Sequence, residues 1–156
     1  MQKITPFLWF DTQAEEAARF YASIFPNSKV GDISRYPEGM PGQAGSVMTV
    51  AFELDGQQFT ALNGGPNFKF TEAVSFVVDC RDQAEVDHYW DKLTAGGQEV
   101  QCGWLKDRYG LSWQIVPARL MELASDPDTA KAGRVMQAMM KMVKIDIAKL
   151  EEAAAG

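Results

Sequence analysis

The residues of this chain that could do chemistry are a few polar side chains set into apolar strand patterns. Thr49 and Glu53 lie in one alternating run, Ser112 and Gln114 lie in another, and Ser75 lies in a third. Alternate residues of a strand share one face of the sheet. We therefore expect these five side chains to line a polar face. Such a face can form one wall of a small-molecule pocket.

Glu53 is the one carboxylate in the middle of a clear strand pattern, which makes it a candidate general base. A mid-strand glutamate is more often solvated or paired with a basic residue, so both interpretations stay open. The single histidine, His88, lies in a helical pattern, where a structural or surface role is the usual one. Ser75 and Ser112 therefore lack a histidine to activate them as nucleophiles. Gln114 can orient a ligand but supplies no proton.

A predicted hairpin positions the run that contains Ser112 and Gln114. Asp107-Arg108-Tyr109-Gly110 separates two apolar segments, and Gly110 can adopt the positive φ that a tight turn requires. Asp107 and Arg108 are expected to stabilise this turn rather than to react. The remaining expected pocket residues are the rim residues Trp9, Asn63, Trp104 and Tyr109, and the apolar floor residues Leu8 and Phe10.

The elements that must position these residues occur twice in the same order. Each half has a short apolar strand, an amphipathic helix and further strands, and the helices start at Thr12-Gln13-Ala14-Glu15 and Asp82-Gln83-Ala84-Glu85. This repeat predicts an α+β fold of two tandem βαβββ modules in one domain, residues 1–120. Chance similarity between two capped helices is the alternative. The predicted strands are residues 4–10, 29–36, 46–54 and 57–63 in the first module (about 3–64), and residues 73–79, 99–105 and 111–116 in the second (about 72–118).

Residues 121–156 are expected to form a C-terminal helical extension. Asp126-Pro127 is a typical helix start, and apolar residues recur at helical spacing from Val135 to Leu150. This pattern predicts one long helix whose methionine-rich stripe packs on the rest of the protein or on a twin subunit. The alternative is an adaptable surface for a partner protein.

Composition limits the classes of partner. With 15 Lys and Arg against 21 Asp and Glu, the net charge of -6 argues against nucleic acid, whose binding rests on clustered basic residues. No apolar run is long enough to span a bilayer, and the first residues lead into a strand pattern rather than a signal peptide. We therefore expect no membrane partner and a cytoplasmic location. Cys80 and Cys102 lie in or beside apolar strand patterns, where inert structural thiols are common.

Several short segments resemble one known group of proteins. Trp9-Phe10-Asp11, Phe20-Tyr21, Asn63-Gly64-Gly65-Pro66 and the run from Asp107 to Gln114 are similar to the vicinal oxygen chelate superfamily. This superfamily includes glyoxalase I, extradiol dioxygenases and the bleomycin and fosfomycin resistance proteins. The match is with its PhnB-like branch, often labelled 3-demethylubiquinone-9 3-methyltransferase-like, over residues 3–118. The resemblance implies that the two modules form a curled mixed-sheet cleft, and that the protein is a homodimer.

The same resemblance implies where a metal would bind. Superfamily members usually hold a divalent ion in the cleft through His and Glu side chains. The corresponding positions here are Pro6, a residue within 59–62, Ala73 or Val74, and Gln114, none of them a histidine or a carboxylate. We therefore expect no metal. The methyltransferase label would call for a Gly-rich strand-to-helix turn, which the sequence lacks, so no cofactor is expected either.

The sequence thus predicts a metal-independent small-molecule-binding homodimer of the PhnB-like type. The alternative is an enzyme of the same superfamily, an isomerase, lyase or transferase that uses Glu53 as its base. A third possibility is an interaction module built on the C-terminal helix. The expected ligand-binding residues are Trp9, Thr49, Asn63, Ser75, Trp104, Tyr109, Ser112 and Gln114.

Overall fold

The computed structural model describes residues 2–156, and the chain divides into two compact units, one ending at Phe70 and one beginning at Thr71. Each unit packs a helix on a four-stranded mixed sheet, and the second unit continues into three more helices. The order βαβββ occurs in both units, so the predicted α+β fold is confirmed. The eight strands form two separate hydrogen-bonded sheets.

The first unit follows the predicted order of elements. In its sheet the strand order is β1-β4-β3-β2, where β1 is parallel to β4 and the other pairs are antiparallel. The bounds of its elements are β1 Phe7–Phe10, α1 Ala14–Ile24, β2 Lys29–Arg35, β3 Val47–Leu54 and β4 Gln57–Asn63.

The core of the first unit lies between its sheet and α1. Leu8, Val50 and Ala61 lie in one row by strand register and are all buried. The small buried Ala18 of α1 lets the helix approach the sheet closely. Phe10 is also buried and, two residues from Leu8, shares its face. The prediction that Leu8 and Phe10 form the floor of a pocket is therefore wrong, because both belong to the core under the helix.

The start of α1 differs from the capping pattern predicted at Thr12–Glu15. The N-cap residue is Gln13, and its side chain makes no capping hydrogen bond. Instead, the side-chain oxygen of Asn63 accepts the backbone N–H of Ala14 at 2.8 Å. The parallel pairing of β1 and β4 brings the end of β4 next to the helix start, so a residue distant in sequence satisfies this donor.

The start of α2 follows the predicted pattern. Asp82 is the N-cap residue and accepts the N–H of Glu85 at 2.9 Å, while Glu85 accepts the N–H of Arg81 at 2.8 Å. Each carboxylate satisfies a backbone donor that has no partner within the helix. The predicted helix start at Asp82 is confirmed.

The second unit repeats the βαβββ order and then becomes helical. Its sheet has the order β5-β8-β7-β6, with β5 parallel to β8 and the other pairs antiparallel. The bounds of its elements are β5 Ser75–Cys80, α2 Gln83–Thr94, β6 Gln98–Glu99, β7 Trp104–Lys106, β8 Ser112–Pro117, α3 Ala118–Ala124, α4 Thr129–Met139 and α5 Ile147–Ala155.

The single strand predicted at residues 99–105 is two strands, β6 and β7. Cys102 and Gly103 interrupt it, with φ values of 60° and 84°. Both values lie outside the β region, and a residue with a Cβ adopts them only at some cost. The alternating pattern of apolar residues does not reveal such a break, because it reports side-chain faces and not backbone angles.

The C-terminal region forms three short helices, so the prediction of one long helix is wrong. The N-cap of α4 is Asp128, which accepts the N–H groups of Ala130 and Lys131, and not the predicted Asp126. The helix ends at Met139, and two of the carbonyl groups that follow accept the N–H groups of Cys102 and Gly103, between β6 and β7. Within residues 2–156, no helix has the length and apolar character needed to cross a membrane.

These helices have a hydrophobic core of their own. Leu120 and Leu123 of α3, Val135 of α4 and Leu150 of α5 are buried together with Ile145. The apolar stripe that predicted one long helix therefore packs mainly within the extension itself.

The hairpin between β7 and β8 is organised by the buried carboxylate of Asp107, which is 3% exposed. One oxygen accepts the backbone N–H of Tyr109 at 2.8 Å and that of Leu111 at 3.1 Å. The other accepts the indole N–H of Trp113 at 2.9 Å. Hydrogen bonds to an ionised acceptor are stronger than neutral ones, and their loss inside a protein is costly. The predicted turn at residues 107–110 is confirmed, and Asp107 stabilises it.

We expect Asp107→Asn to destabilise the protein by about 2 to 4 kcal/mol, because an amide nitrogen would face the indole N–H of Trp113. The free energy of unfolding from urea denaturation checks this. The control is Asp91→Asn, an exposed residue of α2, for which we expect a change within about 0.5 kcal/mol. Equal effects of the two substitutions would contradict the role given to Asp107.

Candidate functional site

The second unit has one sheet face that α2 does not cover and that meets the C-terminal helices only at its end, where Val116 of β8 packs against their core. Trp113 and Ile115 of β8 are buried on the side of α2, so their sequence neighbours point to the opposite side. We call that side the helix-free face of the second unit. By register it contains the row Ser75, Ser112 and Lys106, and beside it the row Val77, Gln114 and Trp104.

The polar groups of this face are unevenly satisfied. The side-chain amide of Gln114 donates to the hydroxyl oxygen of Ser75 at 2.9 Å. Ser112, between Ser75 and Lys106, is 1% exposed, and its hydroxyl has no hydrogen-bond partner among residues 2–156. Most buried polar side-chain atoms in proteins do have a partner. The Ser112 hydroxyl is therefore a buried group of this face whose hydrogen-bonding capacity the described residues leave unused.

Lys106 is a member of this face that the sequence analysis missed. Its ammonium pairs with the carboxylate of Glu72, and both side chains are partly exposed. The hydrogen bond from Lys106 holds the pKa of Glu72 below its usual value. Strand alternation could have predicted this position, because Lys106 lies two residues after Trp104 and therefore on the same face of the sheet.

The structure brings together four of the predicted pocket residues of this unit: Ser75, Trp104, Ser112 and Gln114 lie at neighbouring register positions. Tyr109 lies apart, in the turn that joins β7 to β8. Its backbone N–H is bonded to Asp107, and its side chain is partly buried.

The first unit also has a helix-free face, opposite α1. Trp9, Leu62, Thr49 and Ser34 form one row across its four strands. The hydroxyl groups of Thr49 and Ser34 lie 2.5 Å apart and share a hydrogen bond. Ser34 also accepts the backbone N–H of Thr49 at 3.2 Å. The polar atoms of this row therefore have partners within the unit.

Trp9 is fixed by the loop that follows β4. Its indole N–H donates to the carbonyl of Gly65 at 2.9 Å, and its ring meets the ring of Phe68 edge to face at 4.9 Å. Gly64 lies directly against the indole, where a Cβ would overlap with the ring atoms. The Gly64-Gly65 pair is thus required for the position of Trp9.

Glu53 lies at the far end of β3, beside the turn into β4. Its carboxylate accepts a hydrogen bond from the side chain of Gln58, and Lys29 is its register partner in β2. It is four residues from Thr49, a separation on the order of 13 Å along a strand. The structure therefore does not bring the candidate base together with Trp9 and Thr49.

Asn63, like Trp9 and Thr49, uses its polar side-chain groups within the first unit. Its side chain caps α1 through Ala14 and donates to the carbonyl of Val47 at 3.1 Å, and its own carbonyl accepts the hydroxyl of Tyr36. Asn63 also lines a cavity of about 580 Å³. The other residues of that cavity include Asp11, Glu15, Tyr36, Pro41, Gln43 and Ser46.

The donor groups of this chain do not fit the divalent metal that the superfamily usually binds. Among the described residues, no group of three or more His, Cys, Asp or Glu side chains could hold an ion. Gln114, at one of the expected ligand positions, uses its amide to bond Ser75. A divalent ion in a protein needs several imidazole, thiolate or carboxylate ligands.

The strand-to-helix turns do not fit a nucleoside-type methyl donor either. The connection from β1 to α1 is Asp11-Thr12-Gln13, and that from β5 to α2 is Arg81-Asp82. Neither contains a glycine, whereas a Gly-rich turn is what allows a backbone to approach such a ligand closely.

The two βαβββ units give the chain the fold seen in vicinal oxygen chelate proteins. A fosfomycin resistance protein from Listeria monocytogenes shares the fold, with a TM-score of 0.52 and 16% identity over 78% of this chain and 97% of that one. A protein from Pseudomonas aeruginosa has a TM-score of 0.62 and 17% identity over 75% of this chain and 98% of that one.

Closer similarity identifies the family. The family model of 3-demethylubiquinone-9 3-methyltransferase matches residues 2–116. A PhnB protein from Bacillus cereus, provisionally named a 3-demethylubiquinone-9 3-methyltransferase, is 41% identical to this chain. The match has a TM-score of 0.69 and covers 75% of this chain and 100% of the Bacillus cereus chain. A comparison with curated proteins gave no match. The chain belongs to this family, the PhnB-like branch of the vicinal oxygen chelate superfamily.

We expect Gly64→Ala to destabilise the protein by about 1 to 3 kcal/mol and to shift the indole N–H NMR signal of Trp9, because the new methyl group displaces the ring. The control is Gly133→Ala in α4, where a Cβ meets no atom within 4 Å. There we expect a gain of about 0.5 to 1 kcal/mol from helix propensity. An unshifted Trp9 signal in Gly64→Ala would show that the indole does not depend on this glycine.

Proposed function

We propose that this protein is a metal-independent small-molecule-binding protein and that the helix-free face of the second unit holds the ligand. The observation that supports this most directly is the buried Ser112 hydroxyl without a partner. A buried hydroxyl that lacks a hydrogen bond costs about 1 to 3 kcal/mol. A carbonyl or hydroxyl group of a ligand would remove that cost on binding.

The neighbours of Ser112 indicate the chemistry of the ligand. Gln114 and Ser75 already bond to each other, so they form a fixed polar edge beside the free hydroxyl. Trp104 and Val77 lie in the adjacent row, and Val77 is 53% exposed. Apolar surface next to a few directed polar groups is typical of small-molecule sites. The proposed ligand is a small, partly apolar molecule with a hydrogen-bonding oxygen.

We also propose, each within its own unit, that Trp9, Thr49 and Asn63 of the first unit and Tyr109 of the second contact a ligand. In the first unit the polar atoms of Trp9 and Thr49 already have partners. A ligand on the helix-free face of the first unit would therefore meet these two residues as contact surface rather than as new hydrogen-bond partners.

We also propose that the protein works as a homodimer. Phe7, Val74 and Val77 are large apolar residues with exposed fractions of 59%, 64% and 53%. Exposed apolar residues that lie in or beside a sheet face favour association. The Bacillus cereus relative is similar along its whole length, so the resemblance on which the homodimer rests extends over both units.

Methyl transfer, the activity in the family name, is the competing function, together with isomerase or lyase chemistry that uses Glu53. The match of the family model over residues 2–116 supports it. The position of Glu53 at the end of β3, bonded to Gln58, argues against Glu53 as a base, because a general base must lie within hydrogen-bond reach of the reacting proton. We therefore favour the binding function.

We expect Ser112→Ala to lose a small molecule that co-purifies with the wild-type dimer, while the free energy of unfolding stays equal or rises by up to about 1 kcal/mol. Native mass spectrometry measures the bound molecule and the dimer mass, and urea denaturation measures stability. The control is Ser125→Ala, an exposed serine of the same unit. Full retention of the molecule by Ser112→Ala would refute this site.

We expect Glu53→Gln to keep the same molecule bound with affinity changed less than about threefold, because its carboxylate is partly exposed and already bonded to Gln58 within the first unit. If the protein is instead an enzyme with Glu53 as its base, this substitution stops conversion of the molecule. Mass spectrometry of the incubated molecule over time separates the two cases. Glu38→Gln, in an exposed loop, is the matched control.

A further inference from the structure

The C-terminal extension, residues 118–156, adds a cleft to the second unit. Its volume is about 740 Å³. All but two of its lining residues lie beyond residue 116, where the family model ends. The cleft is therefore an addition of this chain to the family fold. Its lining residues are Gln83, Asp87, Ala138, Lys141, Met142, Val143, Lys144, Asp146 and Lys149.

The walls of the cleft are held in place by backbone hydrogen bonds. The N–H groups of Cys102 and Gly103 donate to the carbonyls of Met142 and Val143, each at 2.8 Å. The side chain of Gln83 donates to the carbonyl of Ile145 at 3.1 Å and accepts the N–H of Ile147 at 2.8 Å. The segment between α4 and α5 is thus fixed against α2, and the cleft is a built feature rather than a gap between loose helices.

Most cations of the extension already have partners. Arg119 pairs with Glu151 and Glu122, and Lys131 pairs with Asp126. Arg134 donates to the carbonyls of Ala153 and Ala154.

Lys144 pairs with Asp87 across the cleft at 2.8 Å, and this contact holds the pKa of Asp87 below its usual value. Among residues 2–156, Lys141 and Lys149 have no carboxylate within ion-pair distance. The two unpaired ammonium groups of the extension therefore both line the cleft.

The cleft also contains an acidic residue that caps a helix and an apolar wall. The carboxylate of Asp146 accepts the N–H of Lys149 at 3.2 Å, so it caps α5. The α5 amides of Ile147 and Lys149 are thus used, and anion binding would rest on the ammonium groups alone. Ala138, Met142 and Val143 supply an apolar wall next to them.

We propose that this cleft is a second binding site, separate from the helix-free face, for a phosphate monoester of a small apolar group. Two free ammonium groups match the charge of a phosphate monoester dianion at neutral pH. The apolar wall matches its organic part, and the cleft volume lies within the range of small-molecule sites. The whole chain has a net charge of -6, whereas the lining of this cleft has three lysines against two aspartates, so the cleft is locally positive.

Phenyl phosphate is the probe, titrated into the full-length protein while the methyl NMR signals of Ala138, Met142 and Val143 are followed. We expect saturable shifts of these signals that weaken as salt is added, because exposed charges are screened. Phenol and inorganic phosphate are the ligand controls, and each is expected to bind at least about tenfold more weakly. Absence of shifts, or equal binding of phenol, would overturn the proposal.

Substitution of both lysines tests which groups hold the phosphate. We expect Lys141→Gln with Lys149→Gln to weaken phenyl phosphate binding by about tenfold, and each single change by about threefold. Lys92→Gln, an exposed lysine of α2 outside the cleft, is the control and should bind as the wild type does. Unchanged binding by the double variant would overturn the proposal. We also expect Ser112→Ala to bind phenyl phosphate as the wild type does. The proposal for this cleft and the proposal for the helix-free face can therefore be refuted independently.

Discussion

The second unit depends on the buried carboxylate of Asp107. Its two oxygens collect three N–H donors, from the turn at Tyr109, from Leu111 at the start of the returning strand and from the Trp113 side chain. These bonds set the register of β8 against β7, and the register decides which residues face away from α2. Because Ser112 and Gln114 alternate with Trp113, fixing the indole in the core also fixes both polar groups on the helix-free face.

A different backbone constraint connects this sheet to the extension. Cys102 and Gly103 leave the β conformation just before β7, and their N–H groups then point to the segment after α4. A Cβ at Gly103 would press against Ile145, so this position needs glycine both for its φ and for the close approach of the extension. The same contact, between residues 102–103 and residues 142–143, thus accounts both for the interruption of the strand and for the end of the predicted long helix.

The sequence was sufficient for the parts of the fold that depend on local periodicity. Alternation in β3 and β8 and the capping residues of α2 predicted those elements, and the repeat predicted the two βαβββ units. Prediction from the sequence failed where a residue distant in the chain determines the local structure. Asn63, rather than Thr12, caps α1. The predicted long helix ends near residue 140, and the carbonyls of Met142 and Val143 accept the N–H groups of Cys102 and Gly103 instead. Burial of Leu8 and Phe10 could not be told from periodicity, because all four residues of β1 are apolar.

The two repeated units differ in how the polar side chains of their helix-free faces are hydrogen-bonded. In the first unit the candidate ligand groups serve the fold: Thr49 bonds Ser34, Trp9 bonds Gly65 and Asn63 caps α1. In the second unit Ser112 remains unpaired in a buried position, although an alanine there would avoid the cost of desolvation. If only the needs of the fold determined the residues of the two helix-free faces, we would expect the polar groups of both faces to have hydrogen-bond partners. The difference is what a ligand that binds to the second unit would produce.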